Sequence, residues 1–498
     1  MCGILAVVGN KINAVLPKYF RSLVDETKIS ALDLQHRGPN GCGIAWCGDS
    51  NGVRQLRVEK GLALVESTLT PALMETISQD QPLGIILHTR YPTSGSISPK
   101  NTQPHYVESV FGRFVLCSNG DVPQVNYKQN RLFLESKGVV FLSNNDGELL
   151  LRMIVYFSQG KQQKILSAIK EVMQRIHGAY CALLLTKYGL YAFRDPCGVR
   201  PMTLIKNNGY VMIASESCAW EDYCNVSADD KFDIAPGSVV HVDFYQRLTV
   251  NQLVTSTCLR HCVFEKIYFA RPDSQIFGCQ QEVATFRYYL GKQWVREVQE
   301  MLSKKEWQQF VDRYQFITGV PESGQFSAMG VAAALEEIIG YSRIKNTIVK
   351  NAYISRTFIN EAENKHRLAS AKYRPLGDIY KKYHGAIFCD DSIVRGTTTQ
   401  ALIRKIRKKG IQHIAFAVSS PPIVDICQLG TNIVSRRELI GSQLAVEDIR
   451  KFLNVDFLHY LSLAGVKKTL RQVGLDPKSF CYGCFTSNYA PFIVQEEN

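Results

Sequence analysis

Residues 386–399 decide the fold of the carboxy-terminal half and read Ala386-Ile387-Phe388-Cys389-Asp390-Asp391-Ser392-Ile393-Val394-Arg395-Gly396-Thr397-Thr398-Thr399. The apolar run predicts a buried strand, and its two acids predict a ligand site at the strand's carboxyl end, because a core does not accept unpaired carboxylates. The polar turn that follows offers backbone N–H groups and hydroxyls to a phosphate. Residues 398–409 have helical spacing and end before Gly410, so we predict a strand, an anion loop and a helix. The alternative is a surface turn with solvated acids.

Strand-like and helix-like segments alternate beyond about residue 250. We predict a strand over residues 310–320 and a helix over residues 327–337 ahead of the strand at 386–389. This alternation indicates an α/β unit with a parallel sheet. The first part of the chain instead shows short strand-like runs separated by turns, including residues 179–186.

Composition limits the class of protein. A chain of 498 residues that is 45% hydrophobic and 21% charged is long enough for two or three soluble domains. No apolar run approaches the roughly 18 residues of a membrane span, and residues 2–8 lack the basic lead-in of a signal peptide. Fifteen cysteines without an export signal favour the reducing cytoplasm. The charge of +13 is dispersed, so we expect polyanionic small substrates rather than nucleic acid or a membrane as partners.

Cys2 is a candidate nucleophile at the start of the chain. Removal of Met1 would leave its thiol beside a free α-amine, which can act as the base for that thiol. The alternative is a small apolar residue near a terminus. Further candidate strings follow at intervals that one domain can bring together: His36-Arg37-Gly38-Pro39-Asn40-Gly41, His88-Thr89-Arg90-Tyr91-Pro92-Thr93-Ser94-Gly95, Ser118-Asn119-Gly120-Asp121 and Asn145-Asp146-Gly147-Glu148.

With Cys2, these strings resemble the N-terminal-nucleophile glutamine amidotransferases. The resemblance implies a glutaminase domain over residues 2–250 with a four-layer α/β/β/α fold. It makes Cys2 the nucleophile and gives the oxyanion hole to Asn119 and the Gly120 N–H, donors suited to a developing negative charge. The residues that it assigns to glutamine are Arg37, Arg90, Thr93 and Asp146. Arg90 in a surface ion pair and Asn119-Gly120 in a hairpin turn are the alternatives.

The stretch at 386–399 is similar to the phosphoribosyl pyrophosphate (PRPP) motif of type I phosphoribosyltransferases. The resemblance implies a phosphoribosyltransferase α/β domain over residues 251–470 and a C-terminal tail, residues 471–498, that packs on it. Asp390 and Asp391 would hold the ribose hydroxyls and, with Ser323, Mg²⁺. The other residues that it assigns to PRPP are Lys350, Arg356, Ser392, Arg395, Gly396, Thr397 and Thr398.

Further strings extend the resemblance over almost the whole chain, among them Tyr268-Phe269-Ala270-Arg271-Pro272-Asp273-Ser274 and Val320-Pro321-Glu322-Ser323-Gly324. The chain resembles the amidophosphoribosyltransferase family. That family hydrolyses glutamine and transfers the ammonia to C1 of PRPP, which gives phosphoribosylamine, pyrophosphate and glutamate in the first committed step of purine biosynthesis. The resemblance also implies purine nucleotides as feedback inhibitors and a homo-oligomer, either a dimer or a tetramer.

Four cysteines form a further candidate site: Cys262, Cys427, Cys481 and Cys484. In the iron-sulfur branch of the family, cysteines at these places ligate a 4Fe-4S cluster. Four thiolates suit iron-sulfur or zinc, and buried cysteines without a metal are the remaining alternative.

Some positions depart from the family's pattern: Ser118 and Asp121 around the oxyanion hole, and Ala352 and Ser355 near the pyrophosphate region. A carboxylate beside an oxyanion hole opposes the charge that develops there, which bears on glutaminase rate and coupling. Two alternatives follow: a PRPP-binding regulatory paralogue, or an amidotransferase with an altered acceptor or altered coupling. A PRPP sensor has no use for Cys2, Arg90 and Asp146 together.

Overall fold

A computed structural model describes residues 1–9, 23–50, 52–92, 96–207, 209–220, 230–256, 258–351, 371–431 and 435–492. Within these ranges no helix combines the length and the apolar character needed to cross a bilayer. Thr93, Ala352, Ser355 and Arg356 lie outside the described residues.

The first unit is built from two antiparallel sheets and flanking helices. Its strands are β1 (Gly3–Val8), β2 (Cys42–Ser50), β3 (Val53–Gly61), β4 (Pro82–Thr89), β5 (His105–Ser109), β6 (Gly112–Asp121), β7 (Ala179–Thr186), β8 (Gly189–Arg194), β9 (Thr203–Asn207), β10 (Tyr210–Ala214), β11 (Lys231–Asp233), β12 (Ser238–Asp243) and β13 (Leu248–Gln252). Its helices are α1 (Leu23–Asp33), α2 (Val65–Thr68), α3 (Pro71–Gln79), α4 (Gln124–Glu135), α5 (Asp146–Ser158) and α6 (Ile165–Arg175). The strand orders are β11-β9-β10-β1-β4-β2-β3 and β13-β12-β8-β7-β6-β5.

Both sheets of this unit are covered on both faces. Ile4 and Ala6 of β1 pack against Val115 of β6 in the core between the sheets. Leu5 and Val7 face the layer of α1 and α3 on the other side of the same sheet. Helices α5 and α6 cover the outer face of the six-stranded sheet. Burial on both faces explains why β1 reads as a continuous apolar run rather than as an alternation, and the four-layer α/β/β/α fold is confirmed.

The second unit is organised around a four-stranded parallel sheet of order β15-β18-β19-β20. Its strands are β14 (His261–Cys262), β15 (Phe316–Gly319), β16 (Ile348–Lys350), β17 (Tyr373–Pro375), β18 (Gly385–Asp390), β19 (His413–Val418), β20 (Phe457–Tyr460) and β21 (Phe480–Cys481). Its helices are α7 (Val283–Met301), α8 (Lys304–Arg313), α9 (Gln325–Ile339), α10 (Gly377–Lys382), α11 (Thr397–Lys408), α12 (Ile440–Gln443), α13 (Val446–Leu453), α14 (Leu463–Gln472) and α15 (Gly483–Thr486). Separate buried cores lie on the two faces of this sheet.

The predicted strand, loop and helix are present. β18 is buried between β15 and β19, it ends at Asp390, and α11 begins at Thr397. The strand predicted over residues 310–320 is wrong in its first half. Residues 304–313 are helix α8, which a capping box between Ser303 and Glu306 begins. Trp307 and Phe310 follow helical rather than strand spacing and stack on each other with ring centroids 5.8 Å apart.

The C-terminal tail contacts both units. β21 pairs in parallel with β14, so that Cys481 lies opposite Cys262. Further along, Tyr489 and Phe492 pack with Leu429 of the second unit and with Ala179 and Val199 of the first. The tail therefore lies across the junction between the two units.

Candidate active sites

Cys2 lies immediately before β1 and is buried. Its Sγ lies 3.4 Å from the Tyr91 carbonyl, to which a thiol donates, and 3.4 Å from the Tyr91 N–H, which a thiolate accepts. The Cys2 carbonyl accepts a hydrogen bond from Arg37 Nε at 2.8 Å. These contacts hold the Cys2 backbone in place and keep its sulfur against the backbone of Tyr91.

Asn119 and Gly120 lie beside Cys2 at the end of β6, within the strand and not in a hairpin turn. Asn119 Oδ1 accepts a hydrogen bond from the Cys2 nitrogen at 3.1 Å. The amide nitrogen of Asn119, Nδ2, is buried and has no hydrogen-bond partner among the residues that the structure describes. Gly120 has φ +150°, and a Cβ there would lie 1.9 Å from the Ala179 carbonyl oxygen. A free amide donor next to a thiol, in a strand that requires glycine, is the arrangement an oxyanion hole needs.

Arg90 and Asp146 lie close enough to Cys2 to interact with it electrostatically. The Arg90 guanidinium is buried and donates to the Ser96 carbonyl at 3.0 Å. Burial lowers the pKa of Arg90, while the charges of Cys2 and Asp146 raise it, so the three groups interact electrostatically. Asp146 is the first residue of α5 and is 5% exposed. A guanidinium can bind the α-carboxylate of an amino acid, and a nearby carboxylate can bind its α-ammonium.

Arg37 lies beneath the Cys2 backbone. Its guanidinium pairs with the carboxylates of Glu216 and Glu265, and all three side chains are fully buried. Burial opposes the charge on Arg37, but Glu265 and Glu216 outweigh it and raise the pKa of Arg37. Oxygen atoms of the protein therefore surround this guanidinium. In the structure Arg37 holds the Cys2 backbone, and it does not lie with Arg90 in the position to bind glutamine that the sequence predicted.

Asp121, one of the departures, follows Asn119 and Gly120 in β6. Burial, and secondarily the charge of Asp146, raise the pKa of Asp121 well above its ordinary value. This shift favours the neutral form of the acid, which would not oppose an oxyanion as a carboxylate would. Ser118, the other departure, is held by a hydrogen bond from its backbone N–H to Gln103 Oε1 at 2.6 Å.

The second candidate site lies at the carboxyl end of β18. Asp390 Oδ1 accepts a hydrogen bond from Ser323 Oγ at 2.8 Å and one from the Asp391 N–H at 3.0 Å. Burial, and then the charge of Asp391, raise the pKa of Asp390 well above its ordinary value. Ser392 Oγ donates to Asp391 Oδ2 at 2.5 Å. Two carboxylates and a hydroxyl form an oxygen donor set that fits Mg²⁺, which proteins commonly bind through one or two carboxylates plus substrate phosphates.

The loop after Asp391 turns sharply into α11. Gly396, at its N-cap, has φ +73°, a conformation that favours glycine. Thr397 and Thr398 then open the helix, whose first N–H groups have no intrahelical partner. Arg395 pairs with Glu438 at the base of this loop. Lys350, at the end of β16, forms an ion pair with Glu322 at 2.9 Å.

The four candidate cysteines line one pocket. Its other walls are mainly apolar, with Val199, Phe264, Ile423, Leu429 and Tyr489, and the guanidinium-bearing Arg200 also reaches it. Burial raises the pKa of Cys262 to about 11 and that of Cys481 to about 12. Cys427 Sγ accepts from the Leu429 N–H at 3.4 Å, and Cys481 Sγ from the Gly483 N–H at 3.5 Å. Among the described His, Cys, Asp and Glu side chains, no group of three or more is arranged to hold a single metal ion.

Sequence reasoning missed the acids and the arginines that join the sites. Glu216 accepts from the Arg271 N–H at 2.7 Å and from Ser274 Oγ at 2.7 Å, in addition to pairing with Arg37. Arg287 is buried on α7, and the charge of Asp391 acts on its pKa, which burial lowers to about 10. Glu265 lies three residues before Tyr268, the start of the string at 268–274, and Arg200 lies in an Asp-Pro-x-Gly-x-Arg-Pro run, but their pairing across the chain has no local signal.

Comparisons with known proteins cover nearly the whole chain. A family model described as a glutamine amidotransferase domain matches residues 88–221. The amidophosphoribosyltransferase of Methanocaldococcus jannaschii is 31% identical over 504 residues, covering 98% of this chain and 97% of the relative. The chloroplastic amidophosphoribosyltransferase 1 of Arabidopsis thaliana is 32% identical over 464 residues, covering 92% of this chain and 74% of that protein. The solved structure of glutamine PRPP amidotransferase from B. subtilis, complexed with ADP and GMP, has a TM-score of 0.81 at 27% identity, covering 99% and 98% of the two chains.

Proposed function

The chain belongs to the amidophosphoribosyltransferase family, and on this premise we propose that it hydrolyses glutamine at Cys2 and transfers the ammonia to C1 of PRPP. The products are phosphoribosylamine, pyrophosphate and glutamate, in the first committed step of purine biosynthesis. The observation that carries the proposal is the unpaired, buried amide nitrogen of Asn119 beside the Cys2 thiol. A protein that only sensed PRPP would have no need for this donor.

In the glutaminase half, the Cys2 thiolate attacks the side-chain amide carbon of glutamine. Asn119 Nδ2 and the Gly120 N–H stabilise the oxyanion, and removal of one such donor typically costs about 10²- to 10³-fold in rate. The C–N bond then breaks, ammonia leaves, and water hydrolyses the thioester to glutamate. Arg90, Asp146 and Thr93 bind the amino-acid end of the substrate. After loss of Met1, the α-amine of Cys2 takes the thiol proton.

In the phosphoribosyl half, Asp390 and Asp391 bind the ribose hydroxyls, while residues 392–398 bind the 5′-phosphate. Ser323, Asp390 and Asp391 would hold Mg²⁺, which supplies charge neutralisation for the departing pyrophosphate. Lys350 and Arg356 bind the pyrophosphate end, and Glu322 holds Lys350 until PRPP arrives. Ammonia attacks C1 of the ribose as the bond from C1 to the pyrophosphate oxygen breaks.

An assay of purified protein with glutamine, PRPP and Mg²⁺ tests this function directly. Glutamate and pyrophosphate are followed in the same reaction, and we expect them to form at equal rates. PRPP binding without release of pyrophosphate, with no glutamate formed, would favour the regulatory alternative. Glutamate formed without pyrophosphate would favour an altered acceptor or altered coupling.

We further propose that Cys262, Cys427, Cys481 and Cys484 bind one 4Fe-4S cluster with a structural or oxygen-sensing role. The donor set supports it: four thiols share a pocket, two of their sulfurs accept backbone N–H bonds, and Arg200 offsets negative charge. Neither half-reaction requires electron transfer, so the cluster would fix the tail across the junction of the two units, much as a cross-link closes a long loop.

Metal analysis of anaerobically purified protein tests the cluster. We expect brown protein with broad absorbance near 400 nm and about four irons per chain, the content of this cluster type. Cys481→Ser should lose the iron and lower the unfolding temperature, while Cys279→Ser, at a buried cysteine outside the pocket, should keep it. Colourless protein that contains zinc or no metal would contradict the cluster.

We also propose that purine nucleotides inhibit the enzyme, because the similar B. subtilis structure is complexed with ADP and GMP. Initial rates with and without each nucleotide test this. We expect a cytoplasmic homo-oligomer, either a dimer or a tetramer. The described cysteines are all free thiols, which suits a reducing compartment, and light scattering after size exclusion measures the assembly.

A further inference from the structure

The loop that carries Cys427 lies directly behind the oxyanion-hole strand. Gly430 has φ +116°, and a Cβ at this position would lie 3.2 Å from the Gly120 carbonyl carbon and 3.3 Å from its oxygen. Leu429, one residue earlier, is 1% exposed and packs against Ala179, which is paired with Asp121 between β7 and β6. Residues 427–431 therefore line the cysteine pocket on one side and contact the glutaminase strand on the other.

A chain of buried charges joins the same loop to Cys2. Arg200 donates one hydrogen bond to the Leu429 carbonyl and another, at 3.5 Å, to Glu265 Oε1. Glu265 accepts from Arg37 NH2 at 2.9 Å, and Arg37 Nε holds the Cys2 carbonyl at 2.8 Å. Side chains of Arg37, Arg200 and Glu265 are 0% exposed, so solvent does not screen these contacts. We call Arg200, Glu265 and Arg37 the charge bridge.

We propose that the wall of the cysteine pocket, residues 427–431, together with the charge bridge, positions the glutaminase site. The loop would support Gly120, whose N–H belongs to the oxyanion hole, and the charge bridge would fix the backbone of Cys2. This inference rests on the proposed glutaminase function. Its consequence is that a change in the conformation or the metal content of the cysteine pocket alters the rate of glutamine hydrolysis more than the rate of synthesis from free ammonia. The reason is that the site at Asp390 lies on a different sheet.

The contacts of residues 427–431 explain why a small displacement of this loop would change the geometry of the glutaminase site. The carbonyl of Gly120 belongs to the same strand segment as the donor that must point at the oxyanion, so a shift of the loop tilts that donor. Misplacement of a catalytic group by about 1 Å can cost on the order of 10²-fold in rate. Gly430, Leu429 and the charge bridge are thus positioning residues that never touch the substrate.

The test measures alkylation of Cys2 by the diazoketone analogue of glutamine, followed by intact-protein mass spectrometry. The diazo carbon takes up the thiol proton, and the thiolate then forms the S–C bond to that carbon as the C–N bond breaks and dinitrogen leaves. Because the oxyanion hole binds the adjacent ketone oxygen, the rate reports the geometry of the site without turnover. Gly430→Ala places a methyl group against Gly120 and against Arg200, whose terminal nitrogen is 2.9 Å away. We expect alkylation to slow at least about tenfold and ammonia-dependent synthesis to stay within about twofold.

Gly209→Ala is the matched control, because Gly209 has φ +109° and no atom within 4 Å of the methyl group that alanine would add. It carries the backbone strain without the contact, and its alkylation rate should equal that of the wild type. Equal rates in the two variants would overturn the inference. If Gly430→Ala does not fold, Leu429→Ala decides, because it loosens the loop without a clash: slower alkylation supports the inference, and an unchanged rate overturns it. A wild-type protein that is not alkylated at Cys2 would overturn the proposed function itself.

Discussion

Asp121 directly follows Asn119 and Gly120 in β6, and burial raises the pKa of its carboxyl group. From the sequence alone this residue looks unfavourable for glutamine hydrolysis, because a negative charge there would oppose the oxyanion. In the structure, burial and then the charge of Asp146 raise the pKa of Asp121 and so favour the neutral acid, an effect that the local sequence does not encode. The sequence predicts Asn119, Gly120 and Arg90 for the site of Cys2, since each carries a chemistry that the reaction needs, and the structure places Asn119 and Arg90 near Cys2.

Asp121→Asn should therefore stabilise the protein at neutral pH. The pKa of Asp121 is raised in the folded state, so above the ordinary pKa of about 3.9 the unfolded chain loses the proton while the folded chain keeps it, and stability falls as pH rises. Asparagine removes this loss, and the difference in unfolding temperature between variant and wild type should grow from pH 4 to pH 8. Scanning calorimetry measures it, and a lower unfolding temperature for the variant at pH 8 would contradict a raised pKa of Asp121.

Asp390→Asn tests the phosphoribosyl site at the same scale. Asparagine has nearly the shape of the protonated acid and keeps an acceptor for Ser323 Oγ, so the fold should persist. It cannot carry the charge that ribose hydroxyls and Mg²⁺ require, and loss of a charge-assisted contact of about 1.5–3 kcal/mol weakens binding roughly 10- to 100-fold. Calorimetric titration with PRPP and Mg²⁺ gives the affinity.

The same weakening is expected for Asp391→Asn, with glutamine binding unchanged in both variants. Lys292→Gln, which breaks the ion pair with Glu337 on the exterior of α7, serves as a control for a change of one charge. Unchanged PRPP affinity in both aspartate variants would remove residues 390–391 from the site.

At the scale of elements, the turn into α11 depends on Gly396. A Cβ there would lie 3.0 Å from Ile440 Cδ1 and 3.1 Å from Phe452 Cε1, in addition to the cost of φ +73°. Gly396→Ala should lower stability by about 1–3 kcal/mol and raise the KM for PRPP, because the loop before α11 moves with it. Chemical denaturation and initial rates measure the two effects.

Gly340→Ala is the control that separates the effect of backbone strain from the effect of the contacts that an added methyl group makes. Gly340 caps α9 with φ +80° and has no atom within 4 Å of the added methyl group. This variant should lose about 1 kcal/mol and keep the wild-type KM for PRPP. A KM for Gly396→Ala equal to that of the control would contradict the role of the turn.

Local sequence predicted some elements far better than others. The strand at 386–389 and the helix at 398–409 were placed within about a residue, because an apolar run, adjacent acids and glycines mark their ends. The strand predicted over residues 310–320 was wrong in its first half. Phe310 and Val311 belong to the buried face of a helix, and a short apolar run does not distinguish such a face from a strand. The two-residue pairing of β14 with β21 depends on residues far apart in the chain and has no local signal.

At the scale of the whole molecule, ion pairs join the two units. Arg37 of the first unit pairs with Glu265 of the second at 2.9 Å with both side chains fully buried. The half-buried Arg271, in the second unit, pairs with Asp33 of α1 at 2.6 Å, and its backbone N–H binds Glu216. Resemblance to a known family predicted the fold class, because the strings that carry the chemistry extend over almost the whole chain. It could not indicate the charge bridge or the course of the tail across the junction, because both arise only when distant segments pack.

The central claim is that two chemistries lie in two units, with Cys2 serving only the first. The most direct test compares wild type with Cys2→Ala, following pyrophosphate release from PRPP with either glutamine or high free ammonia as the nitrogen source. We predict that the variant loses glutamine-dependent synthesis by more than about 10³-fold, since no other nucleophile replaces the thiol, while ammonia-dependent synthesis persists. Equal loss of both activities in a folded Cys2→Ala protein would contradict the account.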